Sequence, residues 1–335
     1  MYKRQGENNL ITEVDGILVG NAENEIVGTG TTVLIPPEGS TASADVRGGA
    51  PGTREVGALN PYNLVDTIDA IVLSGGSTWG LDAASSVANF IGKTGRGFKS
   101  GNDVKNVPMV PGAILFDLNN GGNKDWGGES PYHKLGVEAS QKASQKFDLG
   151  NVGAGFGAKA GSLKGGLGSA SVENKFGLKI GGLFAVNSFG SVVNSDTGQF
   201  WGASDELNNE FGNQGAPQEH PTDVLAGSAI GHALEKNNTT IGIVATNAKL
   251  DSKTAKRIAI MSHTGMSRAI RPIHTPVDGD VIFVVSTNTY DKELSYREIN
   301  EIGELGARVC CRSISRAVYE AKTLYEMNSW QDKYS

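Results

Sequence analysis

Six short apolar runs, each closed by glycine, proline or a polar turn, constrain this chain more than any other feature. They are TTVLIPP (31–37), AIVLSGG (70–76), PGAILFDL (111–118), GGLFAVNSFG (181–190), TTIGIVATN (239–247) and DVIFVVST (280–287). Runs of this length, rich in β-branched residues, read as buried strands rather than helices. Helical periodicity falls between them. Leu81, Ala84, Val87, Ala88 and Ile91 share one face after the turn SGGSTWG. Asp251 or Ser252 caps a helix whose Ala255, Ile258, Ala259 and Met266 form a stripe. A last helix over about 294–322 turns Ile299, Ile302, Val309, Ile314 and Val318 inward. With no repeat of fixed period, the pattern predicts central sheets covered by helices.

At 335 residues the chain exceeds the size at which one core usually stops growing, so one large domain or two fit its length. A net charge of −6 and a lack of any Lys/Arg patch argue against nucleic acid as a partner. The first residues, MYKRQGENNL, contain no apolar signal core, and no apolar run is long enough to span a bilayer. No membrane contact is expected, and the cytoplasm is the expected compartment. The two cysteines, Cys310 and Cys311, are adjacent and read as small buried apolar residues on the last helix, with no CxxC pair for zinc.

Glycine is the one unusual component, with 46 residues concentrated in GNVGAGFGAKAGSLKGGLGSAS (150–171). That block contains no GxGxxG opening a helix. A phosphate loop is also absent, and Gly92-Lys93-Thr94 misses the pattern because Val87 stands where its first glycine belongs. Close backbone packing, or backbone lining a pocket, accounts for the glycines better.

From Ala203 to Asn238 the chain turns polar and glycine-rich, with one brief helical patch near Leu225 to Leu234, and reads as a surface excursion. It runs directly into the buried run that starts at Thr239. A threonine there has an ordinary role, opening a strand. It becomes a catalyst if the Asn238–Thr239 bond is cut, because one residue then carries both a hydroxyl nucleophile and an amine base. Asp278 and Asp280, flanking one glycine before the last strand, place two carboxylates near a strand end. They read equally as a turn or as groups that hold such an amine, whose ordinary pKa is about 8. His274, between Pro272 and Pro276, reads as a loop-packing residue before it reads as a base.

Eight stretches in order carry a resemblance: ADVRGGAPGT (44–53), LSGGSTWGLDAASSV (73–87), PGAILFDL (111–118), GNVGAGFGAKAG (150–161), KGGLGSAS (164–171), AVNSFG (185–190), NTTIGIVATNAKL (238–250) and AIRPIHTPVDGD (269–280). Over about residues 13–322 the chain resembles the L-aminopeptidase/D-esterase family of self-cleaving hydrolases, which includes β-peptidyl aminopeptidases and nylon-oligomer (6-aminohexanoate oligomer) hydrolases. The resemblance implies an α+β fold, a four-layer αββα sandwich like that of other N-terminal-nucleophile hydrolases. It implies one hydrolase domain, residues 1–335, cut between Asn238 and Thr239 into fragments 1–238 and 239–335 that stay associated. It also implies a homo-oligomer, a tetramer of fragment pairs.

Carried over one position at a time, Thr239 matches the nucleophile and Asn187 an asparagine that donates to the oxyanion. Asp278 and Asp280 match an acidic pair that orients the new amine. Phe116 stands where relatives often carry tyrosine, and Lys159 best matches a catalytic lysine, with Lys164 the alternative. Gly76, Trp79 and Phe116 are the expected substrate-binding positions. The implied reaction is acyl transfer from a small peptide or oligoamide through a Thr239 ester, requiring no cofactor and no metal. An acyltransferase of the ornithine acetyltransferase type and a non-cleaving binding protein are the other readings.

Overall fold

The computed structural model describes residues 3–219, 221–229 and 238–335. Among them, two sheets face each other. The larger has seven strands in the order Lys3–Arg4, Gly166–Asn174, Lys179–Asn187, Thr239–Ala248, Val281–Tyr290, Ser40–Val46 and Thr67–Ile68. The smaller has five, ordered Leu18–Asn24, Thr29–Ile35, Ile71–Ser74, Gly112–Ile114 and Thr53–Arg54. Thr239–Ala248 runs parallel to Val281–Tyr290 and antiparallel to Lys179–Asn187.

Alternation along the central strands explains why their sequences are apolar throughout. Leu183, Ala185, Ile241, Ile243, Phe283 and Val285 enter a core between the sheets, where they meet Leu34, Ile71 and Leu73 of the smaller sheet and Leu115 just beyond its strand Gly112–Ile114. Phe184, Val186, Val244, Ile282 and Val284 point the other way, into a core closed by the helices Ser252–Ala269 and Tyr296–Tyr319. A third core, with Val33 and Val72, packs the smaller sheet under the helices Asp82–Gly92 and Tyr132–Gln141. Three apolar layers separate four layers of backbone, so the fold is the expected αββα sandwich.

The expected helix starts hold. Asp251 caps Ser252–Ala269 by accepting from Thr254 N–H, and Cys310 and Cys311 lie buried on the last helix, burial raising both thiol pKa values. Ile299, expected to face inward, is only half-buried and lines a surface cleft. Part of the glycine block, expected as packing or pocket lining, is the strand Gly166–Asn174. Its glycines are required because the last helix lies directly on it. A Cβ at Gly168 would sit 1.9 Å from Ser313 O, and one at Gly166 would sit 2.3 Å from Ala317 O. The strands Leu18–Asn24 and Ser40–Val46 and the helix Tyr132–Gln141 have no counterpart in the sequence expectations, because small residues replace the apolar signal there.

The excursion after Ala203 is not only a surface feature. Phe211 packs against Phe200 with ring centroids 5.4 Å apart. Glu210 forms a buried ion pair with Arg312 on the last helix at 2.5 Å, while Arg312 also donates to Ser171 O and Asn9 Oδ1. Of the expected helical patch, 225–227 form a turn, 228 and 229 are not helical, and 230–234 lie outside the described residues.

Removing one partner of a buried pair leaves an uncompensated charge. Glu210→Ala is therefore expected to lower unfolding stability by about 3–5 kcal/mol, read from denaturant melts with an unchanged slope. A change below about 1 kcal/mol would contradict this role.

Candidate active site

Register brings the site together. Thr239 is directly opposite Asn187 at one end of the larger sheet, and both point toward the gap between the sheets, on the same face as Leu183, Ala185, Ile241 and Ile243. Thr239 is 4% exposed. Its Oγ1 donates to the carbonyl oxygen of Asn238 at 2.5 Å, and that same oxygen accepts the Gly279 N–H at 3.0 Å. Gly279 has no room for a side chain: a Cβ there would lie 2.7 Å from Thr239 Oγ1 and 2.8 Å from Ala50 O.

The carboxylates on either side of Gly279 are both fully buried. Asp278 accepts from Phe189 N–H at 3.2 Å, from Thr275 N–H at 3.0 Å and from Thr275 Oγ1 at 2.5 Å. Burial, then the charge of Asp280, pushes the Asp278 carboxyl up to about 6. Asp280 accepts Thr240 N–H on Oδ1 at 2.8 Å and the His274 ring on Oδ2 at 2.8 Å. No Lys or Arg among the described residues pairs with either carboxylate. The loop after Ser40–Val46 braces this turn, with Arg47 N–H and Gly48 N–H donating to Asp280 O and Ala50 N–H to Asp278 O.

Asn187 is held by both ends of its amide. Oδ1 accepts from Lys159 N–H at 2.8 Å and from Asn120 Nδ2 at 3.2 Å, and Nδ2 donates to Phe116 O at 2.9 Å. Lys159 thus meets Asn187 through its backbone, while its half-buried residue lines a cavity of about 430 Å³ with Asn119, Asn120, Gly121, Tyr325, Glu326 and Met327. Lys164, the alternative lysine, is fully buried. Its Nζ donates to Gly155 O, Ala158 O and Gly165 O, and burial lowers its pKa to about 7.

The other expected positions divide. Phe116 contributes its carbonyl to Asn187. Gly76, in the left-handed region at φ 84°, donates its N–H to the buried Asp117. Burial raises the pKa of Asp117, which also accepts from Thr29 Oγ1. Trp79 is 55% exposed, packs edge-on against Trp126, and lines a separate cleft of about 690 Å³ with Asp82, Glu129 and His133. None of Thr239, Asn187, Asp278 or Asp280 lines that cleft. Among the described residues, no group of three or more His, Cys, Asp and Glu is placed to hold a metal ion, and no helix is long and apolar enough to cross a membrane.

The family model described as Peptidase family S58 matches residues 9–330. The chain belongs to peptidase family S58. It is accordingly a hydrolase of amide bonds, and the family is the one its motifs resemble. A Mycobacterium tuberculosis relative named as an uncharacterized aminopeptidase is 41% identical over 288 residues, 83% of this chain and 81% of that protein. A 6-aminohexanoate-oligomer endohydrolase of Paenarthrobacter ureafaciens is 26% identical over 295 residues, 85% of this chain and 77% of that protein. The solved L-aminopeptidase D-Ala-esterase/amidase of Ochrobactrum anthropi, described as a variant of the Ntn hydrolase fold, superposes with a TM-score of 0.68 at 19% identity, covering 96% of this chain and 88% of that one. The S58 chain shares that fold.

Several residues at this candidate site carried no sequence signal. Asn120, Thr275 and the N–H of Gly279 look like ordinary turn residues, and only the fold brings them to Thr239, Asn187 and Asp278. His274 had a signal, its position six residues before Asp280, but its bond to that carboxylate depends on the fold of the loop.

The raised pKa of Asp278 gives a stability prediction with a definite sign. Between its ordinary value of 3.8 and about 6, the folded chain holds a proton that the unfolded chain has released. The stabilising contribution is full below about pH 4 and is lost as pH rises through 6. Comparing Thr239→Ala with Thr239→Ala/Asp278→Asn isolates this titration. The Asn variant is expected to gain melting temperature relative to its parent between pH 4 and pH 7, and a pH-independent difference would contradict the raised pKa.

Proposed function

We propose that this protein cuts its own Asn238–Thr239 bond and then hydrolyses peptides or linear oligoamides with Thr239 as an N-terminal nucleophile. One observation carries the proposal: the Thr239 hydroxyl and the Gly279 N–H both meet the Asn238 carbonyl oxygen, beside a turn whose two buried carboxylates have no Lys or Arg partner among the described residues. Attack by Oγ1 on the Asn238 carbonyl carbon moves the acyl group from nitrogen to oxygen. The Gly279 N–H supports the negative charge that develops on the carbonyl oxygen. Water then releases the ester, leaving an Asn238 carboxylate and a Thr239 amine.

That amine supplies a positive charge that no Lys or Arg among the described residues brings to the two carboxylates. In the intact chain burial and the charge of Asp280 raise the Asp278 pKa, and an ammonium beside that carboxyl would favour its ionised form. In turnover the amine takes the proton from Oγ1, which attacks the substrate carbonyl. Asn187, oriented by Lys159 N–H, Asn120 and Phe116 O, donates to the oxyanion, a contribution of about 3 kcal/mol in comparable sites. The amine then protonates the leaving group, and water frees the acyl half. Asp278 and Asp280 hold the amine in place.

Lys159, bonded through its N–H to Asn187, keeps the lysine role, with the buried Lys164, whose pKa burial lowers to about 7, as the alternative. The cavity lined by Asn120 and Lys159, both bonded to Asn187, supports an acyl-binding pocket there rather than one at Trp79. The names of the relatives support a linear amide substrate, an α-peptide or an oligoamide of the 6-aminohexanoate kind. Residues 1–238 and 239–335 would stay associated, since Lys179–Asn187 and Ser40–Val46 flank the two strands of the second piece. Assembly into tetramers of fragment pairs and a cytoplasmic location complete the proposal.

Intact mass under denaturing conditions tests it. The expected result is two species of about 25 and about 10 kDa, dividing 35.1 kDa in the ratio of the fragment lengths, with the smaller starting at Thr239. Thr239→Ala is expected to leave one full-length species and background amidase activity, and a processed or active Thr239→Ala protein would overturn the reading. Gly279→Ala is expected to block processing, because its Cβ would press on both Thr239 Oγ1 and Ala50 O.

A further inference from the structure

Behind Asp280 a second set of buried groups leads away from Thr239. Asp280 turns Oδ1 to the Thr240 N–H and Oδ2 to His274, which donates twice to that one oxygen, from its backbone N–H at 3.1 Å and from ring Nδ1 at 2.8 Å. His274 reaches this arrangement through a left-handed backbone, φ 58°. The edge of the buried His263 ring packs against it, with centroids 4.9 Å apart and planes at 68°. His263 Nε2 lies 3.1 Å from Asp45 O, and burial lowers the His263 pKa to about 4. The ring is therefore neutral near pH 7, with its proton on the nitrogen that meets the carbonyl. Asp45 is bound in turn by Arg47 and Lys256. Among the described residues His274 Nε2 has no hydrogen-bond partner, so the ring's polar contact is the bond to Asp280.

We propose that His274 is a positioning residue for the reaction. Its Nδ1–H bond keeps the Asp280 carboxylate from rotating, so that Oδ1 stays on the Thr240 N–H and fixes where the Thr239 amine stands relative to its own hydroxyl. His263, wedged against the ring and tied to the strand Ser40–Val46, keeps the imidazole in that orientation. The inference rests on the reading of Thr239 as an N-terminal nucleophile. A group that acts only by placing another changes the rate of the bound complex more than it changes binding.

The test compares His274→Gly with His274→Asn. Glycine and asparagine both accept a left-handed backbone, and the Asn Nδ2 can stand where Nδ1 stands. Denaturing intact mass, melting temperature, kcat and KM on an amide that the wild type hydrolyses are the readouts. The glycine variant is expected to melt near the wild type yet lose about 10²-fold in kcat, with KM changed by no more than about threefold. The asparagine variant is expected to recover kcat to within about fivefold of wild type. Wild-type kcat in the glycine variant overturns the proposal, as does an asparagine variant as impaired as glycine. If the glycine variant does not fold, the asparagine variant decides: a folded, processed protein with kcat more than about fivefold down overturns it, and a smaller loss supports it. A wild type that remains a single full-length species would fail the reading of Thr239 itself, whereas a processed, active wild type with an unimpaired glycine variant fails only the role of His274.

Discussion

A strand buried on both faces has no freedom to slip, and Thr239–Ala248 is such a strand. Moving its register by one residue would exchange the side chains Ile241 and Ile243 in the inter-sheet core with Gly242 and Val244 under the helices. Gly242 permits this strand's exact fit beside Phe184, whose ring lies 2.1 Å from where a Cβ would project. The same register sets Thr239 opposite Asn187 and Ile241 opposite Val281. The position of the candidate nucleophile therefore follows from core packing some way along the strand, where burying each large apolar side chain is worth about 1.5–3 kcal/mol. The end of the strand has little energy of its own and takes its place from the middle.

Electrostatics at that end work against folding and toward chemistry. Burial and the charge of Asp280 disfavour the ionised form of Asp278, and hydrogen bonds from Thr275 and Phe189 offset part of that cost. Under the proposed mechanism the remainder is relieved by the ammonium that self-cleavage creates. The intact chain would then be the less comfortable state, and processing would proceed downhill. Arg312 and Glu210, by contrast, are buried charges that pair directly.

The fold was legible where side chains are large. The six apolar runs correspond to Thr29–Ile35, Ile71–Ser74, Gly112–Ile114, Lys179–Asn187, Thr239–Ala248 and Val281–Tyr290, and Asp251 caps its helix as read. It was illegible where small residues do the packing. Ser40–Val46, STASADV, is buried along most of its length yet carries no apolar signature. Gly166–Asn174 carries no strand signal because its glycines, read as close-packing positions, answer a helix far along the chain. Glu210 and Phe211 looked like loop residues because the cores they join are built from distant segments.

For the site, residue chemistry and local order offered Thr239 and the pair Asp278 and Asp280 as candidates, a hydroxyl at a strand start and two carboxylates on a turn, whereas Asn187 came only from the family resemblance. The sequence by itself also determined that the strands are buried on both faces, since apolar runs of that length admit little else. Tertiary structure alone decided that Asn187 faces Thr239 and that Gly279 N–H meets the Asn238 carbonyl. It alone set Lys164 in a cage of carbonyls and His274 on Asp280. Each of these contacts depends on the register between strands, the approach of one layer to another or the path of a loop. Such relations arise from the summed burial of many side chains, so no short stretch of residues encodes them.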